Sequence, residues 1–344
     1  MHVPDHYLND PTSAATAVVS LAAVGYAAYR AREDLTPGRV ALTAATTGLV
    51  FAAQMINYPV AAGTSGHLIG AALAAALVGP WLGMLSVTLV LAVQALVFAD
   101  GGLSALGTNV LLMAVVGTLV GWTATRGVLR LTRGRWAPAA AGAGALASVP
   151  VAAAVFTGLF AVGGTVAVPL GELASQMLSV HLLVGLGEAA ITAGVVGLVL
   201  AVAPGAAAVE RAAAGASGAA VSSPSPLPDG AGAATSHAAT GAVRRTVVAL
   251  GAVAMLGAVV LSSFAASTPD GLEATAASVG FADAARDHAF AGMPLADYGE
   301  VGGIFVGVAG FVGVVLAVAV TWALLTAVRT ALVGHRAVEA ESAA

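Results

Sequence analysis

Residues 177–203, MLSVHLLVGLGEAAITAGVVGLVLAVA, form an apolar run interrupted by a single acid, Glu188, and a single histidine, His181. At 1.5 Å per residue, about 20 such residues cross the roughly 30 Å hydrocarbon core of a bilayer as a helix. Comparable windows fall near 13–31, 40–58, 67–80, 82–99, 106–126, 138–161, 246–266 and 302–327, with only Gly79 and Pro80 separating the third and fourth. Of the 344 residues, 59% are hydrophobic and 9% charged, and the mean hydropathy is +0.94. Soluble domains carry about 25% charged residues. The expected fold is therefore an all-α integral membrane protein of about nine transmembrane helices.

The 13 basic residues are all Arg, and the chain has no Cys. Disulfides, thiolate metal sites and a P-loop lysine are thereby excluded, so an ATPase site of that kind is not expected. Cytoplasmic loops are enriched in Arg. Placing Arg30, Arg32 and Arg39 inside puts the N-terminus outside and the C-terminus in the cytoplasm, and every other Arg except Arg286 then falls inside. Asp5, Asp10, Asp100, Glu172, Asp270, Glu273, Asp283, Asp287, Asp297 and Glu300 fall outside, giving a face that concentrates cations. Residues 204–243 are rich in Ala, Gly, Ser and Pro, a composition too poor in large apolar residues for a core. The expected organisation is a membrane domain over 1–205, a flexible cytoplasmic linker over 206–243, and a two-helix membrane domain over 244–344 with an outer loop at 267–300.

The chain opens MHVPDH, without the basic, apolar leader of a secretory signal, and these residues are expected to be retained. The α-amine of Met1, the amide nitrogen of His2 and its imidazole can close two fused chelate rings on one divalent ion. A fourth nitrogen would complete a square plane, an array suited to Ni(II) or Cu(II), while imidazole also accepts cobalt and zinc. Pro4 biases Val3 toward extended backbone, which keeps these residues out of the following helix. His6 and Asp5 are nearby candidates for an additional ligand or an acceptor. In QMINYPVAAGTSGHLIG, residues 54–70, a turn after Pro59 delivers His67 on the same outer face; Ser65 or Thr64 could cap the helix or orient the imidazole, and Asn57 is a further candidate to meet the metal or its ligands. FADGGLSALGTNVLLMA brings Asp100 into an outer turn and Asn109 into a span. His181 and Glu188 lie seven apart, hence on one helix face, and an ionisable residue within a span is a functional candidate. A packing pair is the equally weighted alternative.

These four stretches, in this order over about the first 205 residues, resemble the CbiM/NikM family, the substrate-capture components of energy-coupling-factor cobalt and nickel importers. The resemblance implies a seven-helix bundle in which the Met1 amine, the His2 amide and imidazole, and His67 enclose the metal. Here His6 stands where the family usually has Gly. The stretch STPDGLEATAASVGF resembles the PDGLE-type accessory subunit, here fused, with Pro269, Asp270, Gly271 and Glu273 in a loop expected to touch the capture site. The implied partners are a transmembrane coupling subunit, two ATPase subunits and the lipid bilayer of a bacterial cell membrane, with no nucleic acid. The transported ion would be Co2+ or Ni2+, no cofactor is expected, and the chain is read as a transporter subunit, not an enzyme. An autonomous secondary metal transporter or channel is the alternative.

Overall fold

The computed structural model describes residues 1–61, 63–218, 231–296 and 304–342, with the backbone alone for 231–240, 304 and 334–342. Seven of its helical stretches are long and apolar enough to cross a membrane: Asp10–Asp34, Pro80–Phe98, Leu106–Leu131, Ala137–Gly163, Leu170–Val202, Gly241–Val259 and Phe305–Val333. They contain α1 (Asp10–Ala31), α4 (Pro80–Val93), α5 (Leu106–Asn109) continuing through a π segment into α6 (Gly117–Leu131), α7 (Ala137–Gly163), α8 (Leu170–Val202), α10 (Ala231–Val259) and α12 (Ile304–Ser342). The remaining α-helices among the described residues are α2 (Pro37–Gln54), α3 (Ala71–Val78), α9 (Ala208–Ala216) and α11 (Gly271–Val279).

Two of the nine expected spans differ from the expectation for a shared physical reason. The window at 67–80 holds only the eight residues of α3, all of them buried, and these reach about 12 Å. This half-helix is packed against α2, α4, α6, α7 and α8. Gly79, at φ 89°, and Pro80 in the first turn of α4 reverse the chain there. The window at 40–58 holds the 18-residue α2, which is walled in by α3 and α4 on one side and by α10 and α12 on the other. A helix facing protein need not be lipid-apolar. Thr43, Thr46 and Thr47 are accordingly buried there, each hydroxyl donating to the carbonyl four residues back at 2.7–2.9 Å. By contrast α1 turns Val18, Val19 and Leu21 outward. Gly117 and Gly121 close on Ala71 and Ala72 of α3, so these small residues form an internal seam.

The stretch expected as a linker at 206–243 carries helix toward both of its ends. Ala208 and Val209 of α9 are buried, and α9 packs against α3, α6 and α7, because Ala and Val suffice to fill a shallow groove. The backbone of α10 begins at Ala231. Residues 219–230 of that stretch, and Asp297 and Glu300 of the outer loop, lie outside the described residues.

A small antiparallel hairpin, β1 (Tyr58–Ala61) with β2 (Thr64–Gly66), rises from the end of α2 and leads into α3. At one end of the bundle the hairpin meets α11, and the N-terminal arm meets the turn at 99–102. Two π segments, Gln94–Phe98 and Val110–Val116, border this end. Such segments re-aim the flanking chain and are frequent beside functional sites.

Candidate metal-capture site

The N-terminal arm is an ordered, buried strap. Asn109 clamps Val3 from both sides: its Oδ1 accepts from the Val3 N–H at 2.7 Å and its Nδ2 donates to the Val3 carbonyl at 3.0 Å. The Gly102 N–H donates to that same carbonyl at 2.9 Å. Asp5 accepts from the backbone of Leu103 and from the backbone and hydroxyl of Ser104, at 2.6–3.1 Å. Farther along, Thr165 donates to the His6 carbonyl at 2.7 Å and Tyr7 packs edge-on against Phe281. Asp5 and His6 thus serve the strap and are not brought to Met1, His2 and His67. His6 has φ 75°, a left-handed conformation that Gly adopts freely, which explains a Gly preference at this position.

The strap delivers Met1 beside His67, just past the hairpin. The N-terminal ammonium lies 2.6 Å from Nε2 of His67 and 2.9 Å from Oδ2 of Asp270. His67 Nδ1 is 2.9 Å from the Leu68 carbonyl, which can only accept, so Nδ1 carries the proton and Nε2 keeps a lone pair. The His2 ring stacks on the His67 ring, with centroids 4.9 Å apart and planes inclined by 16°. Its Nδ1 lies 3.2 Å from Asp100 Oδ1, while its Nε2 is buried and, among the described residues, makes no hydrogen bond of good geometry, with the Gln94 side chain nearby. Burial, reinforced by the adjacent ammonium charge, pushes His2 down to about 3, and the same causes with the His2 ring added hold His67 at about 3. Both imidazoles are neutral at ordinary pH, the form that binds metals. Burial alone would raise the Asp270 carboxyl, but the ammonium and His67 outweigh it and hold this group well below the usual carboxylate range.

Glu188 fixes the loop behind His67. Its two oxygens accept from the Ile69 and Gly70 N–H groups at 2.8 and 2.9 Å, so it anchors backbone across the bundle. Gln54 adds a bond to the Ile69 carbonyl at 2.8 Å. His181 donates from Nδ1 to the Met177 carbonyl at 2.8 Å, and it lines a cavity of about 10 Å³ with Met1, His67 and Asp270. That is room for one water-sized occupant. Ser65 does not touch the imidazole. Its N–H donates to the Pro269 carbonyl at 2.9 Å and its hydroxyl to the Thr268 carbonyl at 2.6 Å, fastening the accessory loop like an added strand. Asn57 engages through its carbonyl, which accepts from the Ala266 N–H at 2.8 Å.

The loop ends in a capping box. Asp270 Oδ1 accepts from the Leu272 and Glu273 N–H groups at 2.8 and 2.9 Å, and Glu273 returns a bond from the Asp270 N–H at 2.8 Å. Gly271 is required by proximity, because a Cβ there would sit 2.8 Å from Val180 Cγ1 and 3.1 Å from His181 Cε1. The sequence pattern Pro-Asp-Gly announces a turn; that Asp270 lands on Met1 has no local signal. Among the described residues no trio of His, Asp or Glu side chains is arranged to hold a metal ion.

The fold is that of a multi-pass helical membrane protein in which an N-terminal amine and an imidazole converge at one end, and the family it matches places it in the class of cobalt and nickel transport proteins. The chain belongs to the CbiM family, described as the cobalt uptake substrate-specific transmembrane region, which it matches over residues 2–206; residues 244–330 match the PDGLE domain. It is 39% identical over 211 residues to a putative fused nickel transport protein NikMN of Archaeoglobus fulgidus, covering 59% of this chain and 67% of the relative. A putative metal transport protein of Haloquadratum walsbyi is 37% identical over 195 residues, covering 57% of this chain and 88% of that one. A solved truncated transition metal transporter superposes with a TM-score of 0.53 at 32% identity, covering 58% of this chain and 99% of its own.

Proposed function

We propose that the protein is the substrate-specific membrane component of an energy-coupling-factor importer, capturing Co2+ or Ni2+ outside and passing it inward with a coupling subunit and two ATPase subunits. The observation that carries this reading is the 2.6 Å approach of the Met1 nitrogen to the free lone pair of His67 Nε2. With metal–nitrogen bonds of about 2.0 Å, two cis ligands of a square plane stand about 2.8 Å apart. The two nitrogens therefore already stand close to the separation that two neighbouring ligands of one ion would have. Loading removes one proton of the Met1 ammonium and the amide proton of His2; the His2 ring gives up its Nδ1 proton by way of Asp100 and takes one on Nε2, so it stays neutral as the bare Nδ1 turns to the ion. The result is a four-nitrogen set drawn from three residues.

The arginine distribution supports a site facing outward, since the loops at the opposite end of the bundle carry nearly all of the positive charge. Asp100 is the more exposed of the two site carboxylates, at 33% of its side chain against 11% for Asp270, and offers the entering cation its first contact. The accessory loop, tied to Ser65, covers the site from the other side.

Uptake of radiolabelled nickel and cobalt into cells expressing the chain with and without the coupling and ATPase subunits tests the reading. ATPase-dependent uptake is expected, abolished by His67→Ala. Equal uptake without those subunits would instead identify an autonomous transporter.

A further inference from the structure

The geometry points to Asp270 of the fused accessory domain as the fixed counter-charge of the capture site, the residue that keeps the Met1 amine oriented as a ligand both before and after metal enters. This deepens the proposed function and rests on its reading that Met1 and His67 hold the metal.

Asp270 divides its two oxygens between different tasks. Oδ1 is committed to its own helix, accepting from Leu272 and Glu273, while Oδ2 is left over and meets the Met1 nitrogen at 2.9 Å and His67 Nε2 at 3.7 Å. Its backbone is held from three directions: Glu273 accepts from its N–H, Ser65 grips the Thr268 and Pro269 carbonyls, and Gly271 lies flush against Val180 and His181. A carboxylate fastened so completely does not follow the ion about.

Charge accounting gives it the same task in both states. In the empty site the ammonium carries +1, offset by Asp270. When a dication replaces one proton of the ammonium and the amide proton of His2, two positive charges enter and two leave as protons. The complex of M2+, amine, amidate and two neutral imidazoles is again +1. A coordinated amine still has two N–H groups, and one can continue to donate to Asp270 Oδ2. The carboxylate thus faces one net positive charge throughout, inside a site where Met1 and His67 are almost wholly buried. An uncompensated charge at such a place is costly, and groups that hydrogen-bond to a metal's ligands tune its affinity by about 10–100-fold. The accessory domain would on this account be part of the binding site, without contributing a ligand.

Asp270→Asn retains size and helix-capping ability but removes the charge and turns an N–H group, instead of an acceptor, toward either the amine or the helix end. Isothermal titration of the purified full chain with NiCl2 or CoCl2 is expected to show affinity weakened at least tenfold. At saturating metal the ligand-field absorption should match the unsubstituted protein, because the inner ligands are unchanged. Glu273→Gln, which weakens the capping box while leaving Asp270 charged, should bind within about threefold of the parent. Unchanged affinity in Asp270→Asn overturns the proposal, as does a shifted absorption band, which would make Asp270 a direct ligand, or an equal loss in Glu273→Gln, which would make its role one of loop folding. His67→Ala separates the two levels: if it binds metal normally the proposed site itself fails, whereas its loss alongside a normal Asp270→Asn sinks only the counter-charge.

Discussion

Glu188→Gln probes how the bundle aims His67. The carboxylate is fully buried and spends both oxygens on the N–H groups of Ile69 and Gly70, immediately beyond Leu68, whose carbonyl sets the His67 tautomer. A hydrogen bond to a charged acceptor contributes about 1.5–3 kcal/mol, and a buried donor left unpaired costs about 1–3 kcal/mol. Glutamine has nearly the same volume but only one acceptor oxygen, so one N–H keeps a weakened, neutral bond and the other faces an NH2 group. The loss comes to roughly 2–4 kcal/mol. Apparent affinity scales with the fraction of molecules whose loop is competent. If the loop bears the whole cost, metal binding weakens by up to about 30-fold at the low end of that range; if the bundle shares it, part appears as a lower melting temperature. Calorimetric titration with nickel, together with thermal unfolding in detergent, reads both. A variant that binds nickel within twofold of the parent and melts at the same temperature would refute the anchoring role.

Further substitutions follow from the strap. Asn109→Ala leaves the buried Val3 N–H and part of its carbonyl capacity unpaired; nickel affinity should fall about tenfold or more, and the N-terminal strap should exchange amide hydrogens faster. His6→Gly relieves a left-handed backbone and should stabilise the protein by about 1 kcal/mol, read as a slightly higher melting temperature, with nickel affinity unchanged because His6 does not reach the site. The metal-free protein should also be acid-labile. His2 and His67 sit at about 3 when folded against 6.5 when unfolded, so the unfolded chain binds more protons between those limits. The two histidines then leave stability unaffected above about pH 7 and lower it progressively as pH falls from 6.5 toward 3. Melting temperature against pH measures this, and the variant lacking both imidazoles should show a flatter profile.

Much of the fold was legible in the sequence because lipid-facing helices must be apolar from end to end. The exceptions are α2 and α3, where hydropathy cannot distinguish a helix crossing lipid from one enclosed by other helices. Thr43, Thr46 and Thr47 are tolerated in α2 by their bonds to preceding carbonyls. Ala208 and Val209 were unreadable for the opposite reason: an Ala-rich stretch resembles a linker unless its groove is known. At the site, Met1, His2 and His67 stand out because nitrogen donors at a chain end and at a turn have few structural uses. Glu188 stood out too, as a charge in a span, but its partners are backbone groups that no side-chain pattern reveals. The pairing of Asp270 with Met1 depends on how two distant segments dock, and nothing local in either segment encodes it.

The central claim, that the free N-terminal amine is a metal ligand beside His67, is tested most directly by metal analysis of two purified proteins, one beginning at Met1 and one extended by a single residue upstream. After exposure to nickel or cobalt and removal of loosely bound ions, the account predicts about one ion retained per native-start molecule and essentially none by the extended protein. Equal retention by both would contradict it.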